Sequence, residues 1–224
     1  MSVIALINPN TSQAATDMMA GIARRTLRPE EGFEVFGVTV ADGPSMLVDE
    51  DLLHASAPQV VAAARRSLTA PDGRRISALV VSAFGDPGIE DLRTEVGVPV
   101  VGIAEAAMAQ AAEAGRRFGI ATTTPGLVDA ITERVGRLGH RDRFTGIRLT
   151  PGDPQQLAAE PELMRERLAE AVQACITDDG AEAVIIGGGP LGEAAEALRD
   201  RFPVPVIGPI PAACRQVRRI LAAG

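Results

Sequence analysis

The sequence predicts an α/β protein of two pseudo-symmetric lobes, each a mostly parallel sheet flanked by helices, with its site in the interlobe cleft. Three observations predict it. Short apolar runs alternate with Ala-rich segments of helical period, the mark of βαβ units. The whole pattern occurs twice: VPVVGIAEAAM at 98–108 matches VPVIGPIPAAC at 204–214, an offset of 106. FEVFGVTV-ADGP likewise answers FTGIRLT-PGDP at about 111, and ALVVSAFG answers AVIIGGGP at about 105. Finally, the segments after the strands are small, polar and turn-forming, and parallel sheets bind ligands outside the carboxyl ends of their strands.

The elements follow in order. Residues 3–7 (VIALI) read as a buried strand stopped by Asn8-Pro9-Asn10. Thr11 or Ser12 can cap a helix running to about residue 27. A strand at 33–40 leads into Asp42-Gly43-Pro44, and a helix covers 55–69. The third strand, 78–82, enters Phe84-Gly85-Asp86-Pro87-Gly88. The fourth, 98–103, precedes a helix at 105–114. The second half repeats this with strands at 117–121, 144–149, 183–186 and 204–207. Its helices run from the TTTPG turn to 138, then over 161–178, 193–201 and 211–223. This ordering places lobe one at 1–97 plus 209–224 and lobe two at 98–208.

Composition excludes several kinds of chemistry. The chain has 224 residues, and all 22 of its basic residues are arginine. Without lysine there is no Schiff base to pyridoxal phosphate or a carbonyl substrate, and no P-loop lysine. There is no Trp or Tyr, and the only histidines and cysteines are His54, His140, Cys175 and Cys214. No CxxC or HxxxH spacing suggests a metal site, so neither metal nor organic cofactor is expected. A net charge of −7 disfavours nucleic acid and anionic membrane as partners. No 18-residue apolar run suggests a transmembrane helix. Two distant cysteines without a disulfide framework fit the cytoplasm. A homo-oligomer is compatible with all of this.

Four loops hold the candidate binding groups: NPNTS, SAFGDPG, TTTPG and GGGPLG. Asn10, Thr11, Thr122 and Thr123 offer amides and hydroxyls beside backbone N–H groups at helix starts, a setting suited to a carboxylate or cyclic amide. Ser82, Ala83 and Phe84 follow the third strand, and Gly187, Gly188 and Gly189 let a ligand approach the backbone. Each loop is equally readable as a tight turn and cap. GGGPLG lacks the register of a dinucleotide-binding loop.

INPNTS, FGDPG, PVVGIAEAAM, RFGIATTT and PVPVIG, in that order, resemble the aspartate/glutamate/hydantoin racemase superfamily, in its hydantoin racemase branch. The resemblance runs from Asn8 to Ala213. It implies two α/β lobes and cofactor-free racemisation by two cysteines, one per lobe, on opposite faces of the substrate's α-carbon. The family's first cysteine precedes the Phe of FGDPG, where this chain has Ala83. Its second follows the glycine ending the equivalent strand of lobe two, where this chain has Gly188. The internal repeat pairs these same two positions. Cys175 and Cys214 fall in helices and read as small buried hydrophobes.

Proton transfer needs an acid or base near the reacting carbon. The candidates left are Asp86, which also suits a turn role, and Glu105, whose counterpart in the second half is Pro211. Of the two, Glu105 has the longer reach and is the preferred carrier. Two readings follow. One is a cofactor-independent enzyme acting on a small carboxylate, amino-acid derivative or hydantoin-like ring without paired thiols, by isomerisation or one-sided lyase or hydrolase chemistry. The other is a ligand-binding protein that retains the pocket without turnover.

Overall fold

The computed structural model describes residues 1–70 and 74–223. Two four-stranded sheets, every pairing parallel, form its frame, with orders β2-β1-β3-β4 and β6-β5-β7-β8. In the first, β1 (Ser2–Asn8) and β3 (Ile76–Val81) lie centrally, flanked by β2 (Phe33–Thr39) and β4 (Val100–Gly102). In the second, β5 (Phe118–Thr122) and β7 (Ala183–Ile186) are central, with β6 (Phe144–Leu149) and β8 (Val206–Ile207) at the edges. The central strands are buried on both faces, which is why they read as unbroken apolar runs rather than alternating ones.

From β1 the chain crosses to one side of the sheet, and from β3 to the other. Their carboxyl ends therefore bound a crevice, and β5 and β7 make its counterpart. Among the described residues, ten α-helices cover these frames. In the first half they are α1 (Gln13–Thr26), α2 (Glu50–Ala55), α3 (Ala57–Leu68), α4 (Ile89–Glu95) and α5 (Ile103–Ala111). In the second they are α6 (Val128–Arg137), α7 (Pro154–Ala159), α8 (Pro161–Thr177), α9 (Gly192–Leu198) and α10 (Pro209–Ala223).

Ser12 caps α1 by accepting from the Ala15 N–H at 3.2 Å. The helix expected over 55–69 is α3, and a separate helix not expected from the sequence, α2, precedes it, capped by Asp49 through the Leu52 N–H at 2.8 Å. Helices α4 and α7 were not expected from the sequence. Each is one or two turns long and too short to display a period.

The boundary expected between residues 97 and 98 is displaced. Strand β4 pairs with β3, so 98–102 belongs to the first sheet, and the chain leaves that lobe only after the strand. The helices that follow the last strand of each half cross over. Helix α5 packs against β7 and β8, while α10 packs against α1, β3 and β4, and the two helices pack on each other. One apolar core consequently runs through both lobes, from Ile4 and Met19 through Met108 and Val217 to Phe118 and Ile185. Separate cores lie beneath α3 in the first lobe and α8 in the second.

Candidate functional site

The carboxyl ends of β1, β3, β5 and β7 face a cleft of about 320 Å³ between the lobes. Asn10 follows β1, Ser82, Ala83 and Phe84 follow β3, Thr123 follows β5, and Gly187, Gly188 and Gly189 follow β7; all line this cleft. The two lobes meet closely here. A Cβ on Gly189 would lie 2.8 Å from the Ser82 carbonyl, so only glycine allows the β3 and β7 loops this approach.

The loop after β1 is held by its own amides. Asn8 Nδ2 donates to Asn10 Oδ1 at 2.8 Å and to Thr16 Oγ1 at 3.0 Å, and the Ser12 N–H donates to Asn10 Oδ1 at 3.0 Å. Thr123 lines the cleft beside Thr124, their hydroxyls 3.5 Å apart. Ser82 is 2% exposed, and its Oγ has no hydrogen-bond partner. A buried hydroxyl without a partner is costly, and this one belongs to a residue of the cleft wall.

Four expected site residues lie elsewhere. Thr11 turns outward, its N–H donating to the Pro44 carbonyl at 3.0 Å and its hydroxyl to the Gly43 carbonyl at 3.4 Å. Thr122 donates its hydroxyl to the Gly187 carbonyl at 2.7 Å and so ties β5 to β7 rather than facing the cleft. Neither Asp86 nor Glu105 lines the cleft. Asp86, at φ 52°, accepts from the N–H groups of Ala104 and Glu105, both at 2.9 Å, and so caps α5 from a distant loop. Arg134 of α6 donates to it through Nε at 3.2 Å. Burial pushes the Asp86 carboxyl up to about 7, and the Glu105 carboxylate pushes the same way; Arg134 and the two amides pull it back. Glu105 accepts from the Gly102 N–H at 3.1 Å, from Arg93, and from Arg134 Nη2 at 3.4 Å. The expectation that Glu105 carries protons in the cleft is thus set aside: its carboxylate is spent on a buried charge network behind the loops.

The rest of the wall escaped the sequence reading. Met46 and Leu47 come from the loop after β2, which crosses to the second lobe. Asp49 bridges to Gly126 there, and a Cβ on Gly126 would lie 2.5 Å from the Val48 carbonyl. Pro154 and Met164 come from the matching region after β6. Apolar residues inside turn-rich segments, such as Met46-Leu47, were the available signal. The polar lining is Asn10, Ser12, Ser45, Ser82, Thr123 and Thr124, and among the described residues no ionisable side chain lines the cleft.

The thiols are remote from it. Cys175 Sγ donates to the Ile120 carbonyl at 3.8 Å and Cys214 Sγ to that of Ala23 at 4.0 Å. Burial pushes both thiols up to about 12. Among the described residues no cluster of three or more metal-ligating side chains occurs, and no helix is long and apolar enough to cross a membrane.

Two parallel α/β lobes with a loop-lined cleft at facing switch points define the architecture of a two-lobed racemase-type protein. The sequence matches the Asp/Glu/Hydantoin racemase family over residues 4–217, and the chain belongs to that family. It is 30% identical to the hydantoin racemase of Paenarthrobacter aurescens, over 99% of this chain and 92% of that protein. Among solved structures it resembles the allantoin racemase from Klebsiella pneumoniae at 28% identity and a TM-score of 0.91, covering 100% of this chain and 89% of that one. The allantoin racemase from Pseudomonas fluorescens is similar at 26% identity and a TM-score of 0.90, covering 99% of this chain and 92% of that one.

Proposed function

We propose that this chain binds a small, uncharged cyclic amide of the hydantoin or allantoin kind in the interlobe cleft, and does not racemise it through paired thiols. The observation that carries this reading is the cleft wall itself: neutral hydroxyls and an amide among apolar side chains, with no ionisable group. Burying an unpaired carboxylate, and still more a dicarboxylate, in such a wall is expensive. A ring with alternating N–H and C=O groups matches hydroxyl and amide partners at no such cost. The names of the relatives point to the same substrate class. With Ala83 and Gly188 at the paired loop positions, the cleft wall offers no side-chain base for an α-proton.

The test is a thermal-shift series with hydantoins, allantoin and small dicarboxylates, followed by proton-exchange NMR in D₂O on each hit. Cyclic amides should raise the melting temperature, as any ligand selective for the folded state does. Dicarboxylates should not, and α-proton exchange should match that in buffer. A preference for dicarboxylates would overturn the reading. A second reading, solvent-mediated exchange assisted by the cleft, is favoured by the unpartnered Ser82 hydroxyl, a preorganised donor for a developing oxyanion. Accelerated exchange in the native chain that is lost in Ser82→Ala would select it.

A further inference from the structure

The two halves are close structural repeats, and one difference between them leaves a cavity. In the first half, Leu92-Arg93 of α4 precedes β4, and Gly102 ends that strand. In the second half, Leu198-Arg199 precedes β8, and Gly208 follows it at the same offset of 106. The ladders agree: Leu79 N–H donates to the Pro99 carbonyl and Val184 N–H to the Pro205 carbonyl, each at 2.9 Å. Ion pairs from the other lobe agree too, with Glu90 held by Arg134 and its counterpart Glu196 held by Arg25, each at 2.5 Å.

In the first half the Glu105 carboxylate fills the space beside the edge strand. It takes the Gly102 N–H at 3.1 Å and the Arg93 guanidinium. In the second half the residue at Glu105's position is Pro211, which has no acceptor to offer. A cavity of about 290 Å³ lies there beside Pro211; its polar border is Gln110, Arg199, Arg215 and the Gly208 backbone, with the carboxylates Glu196, held by Arg25, and Asp200, beside Arg199.

The groups that a carboxylate satisfies in the first half remain in the second. Among the described residues, no acceptor takes the Gly208 N–H. Arg93 donates to the Val100 carbonyl at 2.9 Å, whereas Arg199 has only Asp200, at 3.6 Å. Arg215 adds a second guanidinium. Its Nε and Nη2 both reach the neutral Gln110 Oε1, at 3.2 and 2.8 Å, and no carboxylate pairs with it among the described residues. Burial, and repulsion from Arg199 and Arg219, lower Arg215 from its ordinary value, against the pull of Glu113.

We propose that this cavity between α9, β8 and α10 is an accessory site for a small monocarboxylate, held by Arg199, Arg215 and the Gly208 N–H as the first half holds Glu105. It shares no residue with the interlobe cleft, so it stands independently of the function proposed above. A free organic acid and an acidic side chain of a second copy present the same chemistry.

The experiment is a propionate titration of the full chain, followed at the Gly208 amide and the arginine Nε–H signals by heteronuclear NMR. Saturable shifts at Gly208, Arg199 and Arg215, with a dissociation constant in the millimolar range, are expected. Arg199→Met and Arg215→Met should each weaken binding roughly tenfold or more, through loss of a charge-assisted hydrogen bond. Pro211→Glu should move the Gly208 amide toward its bound position without propionate and abolish the response to it. Sedimentation separates the two sources. A monomer unaffected by propionate supports a free acid, and a dimer that propionate dissociates supports a second copy. No saturable shift at Gly208, or unchanged affinity in both methionine variants, would overturn the site.

Discussion

Ser82 sets two opposing demands at one atom. Its hydroxyl is buried without a partner, which destabilises the free protein, yet Ser82 belongs to the cleft wall, one small shift from a bound ligand. Ser82→Ala should therefore leave the melting temperature unchanged or raise it, while weakening a cyclic amide by about 1–3 kcal/mol, the range for one lost bond to a buried group. Calorimetric titration and thermal melts of the same variant measure both; a loss of stability with unchanged affinity would make Ser82 structural. The thiols give a second prediction. With both pushed up to about 12 by burial, Cys175 and Cys214 should resist iodoacetamide at pH 8 until the chain is unfolded. Ala83→Cys should add one thiol that labels natively, because Ala83 lines the cleft; mass spectrometry of the native and denatured reactions counts the adducts. His140 supplies a third. Its ring packs edge-on to Phe118 at 6.0 Å, and burial, then Arg143, lowers it from its ordinary value. The unfolded chain thus takes up a proton at higher pH than the folded one, so this contribution to stability is present above about 6.5 and is lost as pH falls through the folded value. Asp86, pushed up to about 7, titrates in the same window with the opposite sign, so the His140 contribution is read as the difference between the native chain and His140→Gln in urea titrations at pH 7.5 and 5.5. At this scale the sequence exposed the backbone-lined half of the site, because Asn10, Ser82–Phe84, Thr123 and Gly187–Gly189 sit where strands end. It misplaced Asp86 because a loop carboxylate beside a glycine turn reads the same whether it faces a cleft or caps a helix 18 residues away, and Glu105 because a carboxylate in a helix's first turn reads the same whether it faces a cleft or pairs with arginines behind it.

The elements show why that cap matters. The N-cap of helix α5 is Gly102, the last residue of β4, which has no side chain to accept, and Asp86 fills that space and takes two of the helix's free N–H groups. The same carboxylate anchors Arg134, so one side chain joins β3's loop, α5 and α6. Asp86→Asn keeps the shape but leaves one oxygen where two accepted the Ala104 and Glu105 N–H groups, while Arg134 keeps Glu90 and Glu105; a buried donor left unpaired costs about 1–3 kcal/mol. Denaturant unfolding should report a loss of that size with the cleft's ligand preference intact; an unchanged stability would show that the cap is dispensable. The strands and long helices were legible in sequence because each carries a continuous apolar run or a sustained helical period. Helices α2, α4 and α7 were not, since one or two turns hold too few positions to reveal a face. Nor was the loop after β2 recognisable as a cleft wall, because its partner at Gly126 lies in the other half of the chain.

Across the whole molecule, the repeat that was plain in the sequence becomes a mutual brace. Glu90 reaches Arg134 and Glu196 reaches Arg25, each pair joining opposite lobes. The fold class followed from the repeat, but the boundary did not, because strand and helix repeat as one segment and that segment splits: β4 stays with β3 while α5 packs on β7 and β8. The exchange of α5 and α10 has a kinetic consequence. Each sheet waits for a helix encoded in the other half, so its native contacts are distant along the chain and close late. Neither half is a unit of folding. Cleavage at the exposed Gly115 turn would yield one piece with α5 and one with α10, each an incomplete layer exposing an apolar face. Mixed together, the two pieces should regain structure by complementation, at a rate that rises with their concentration.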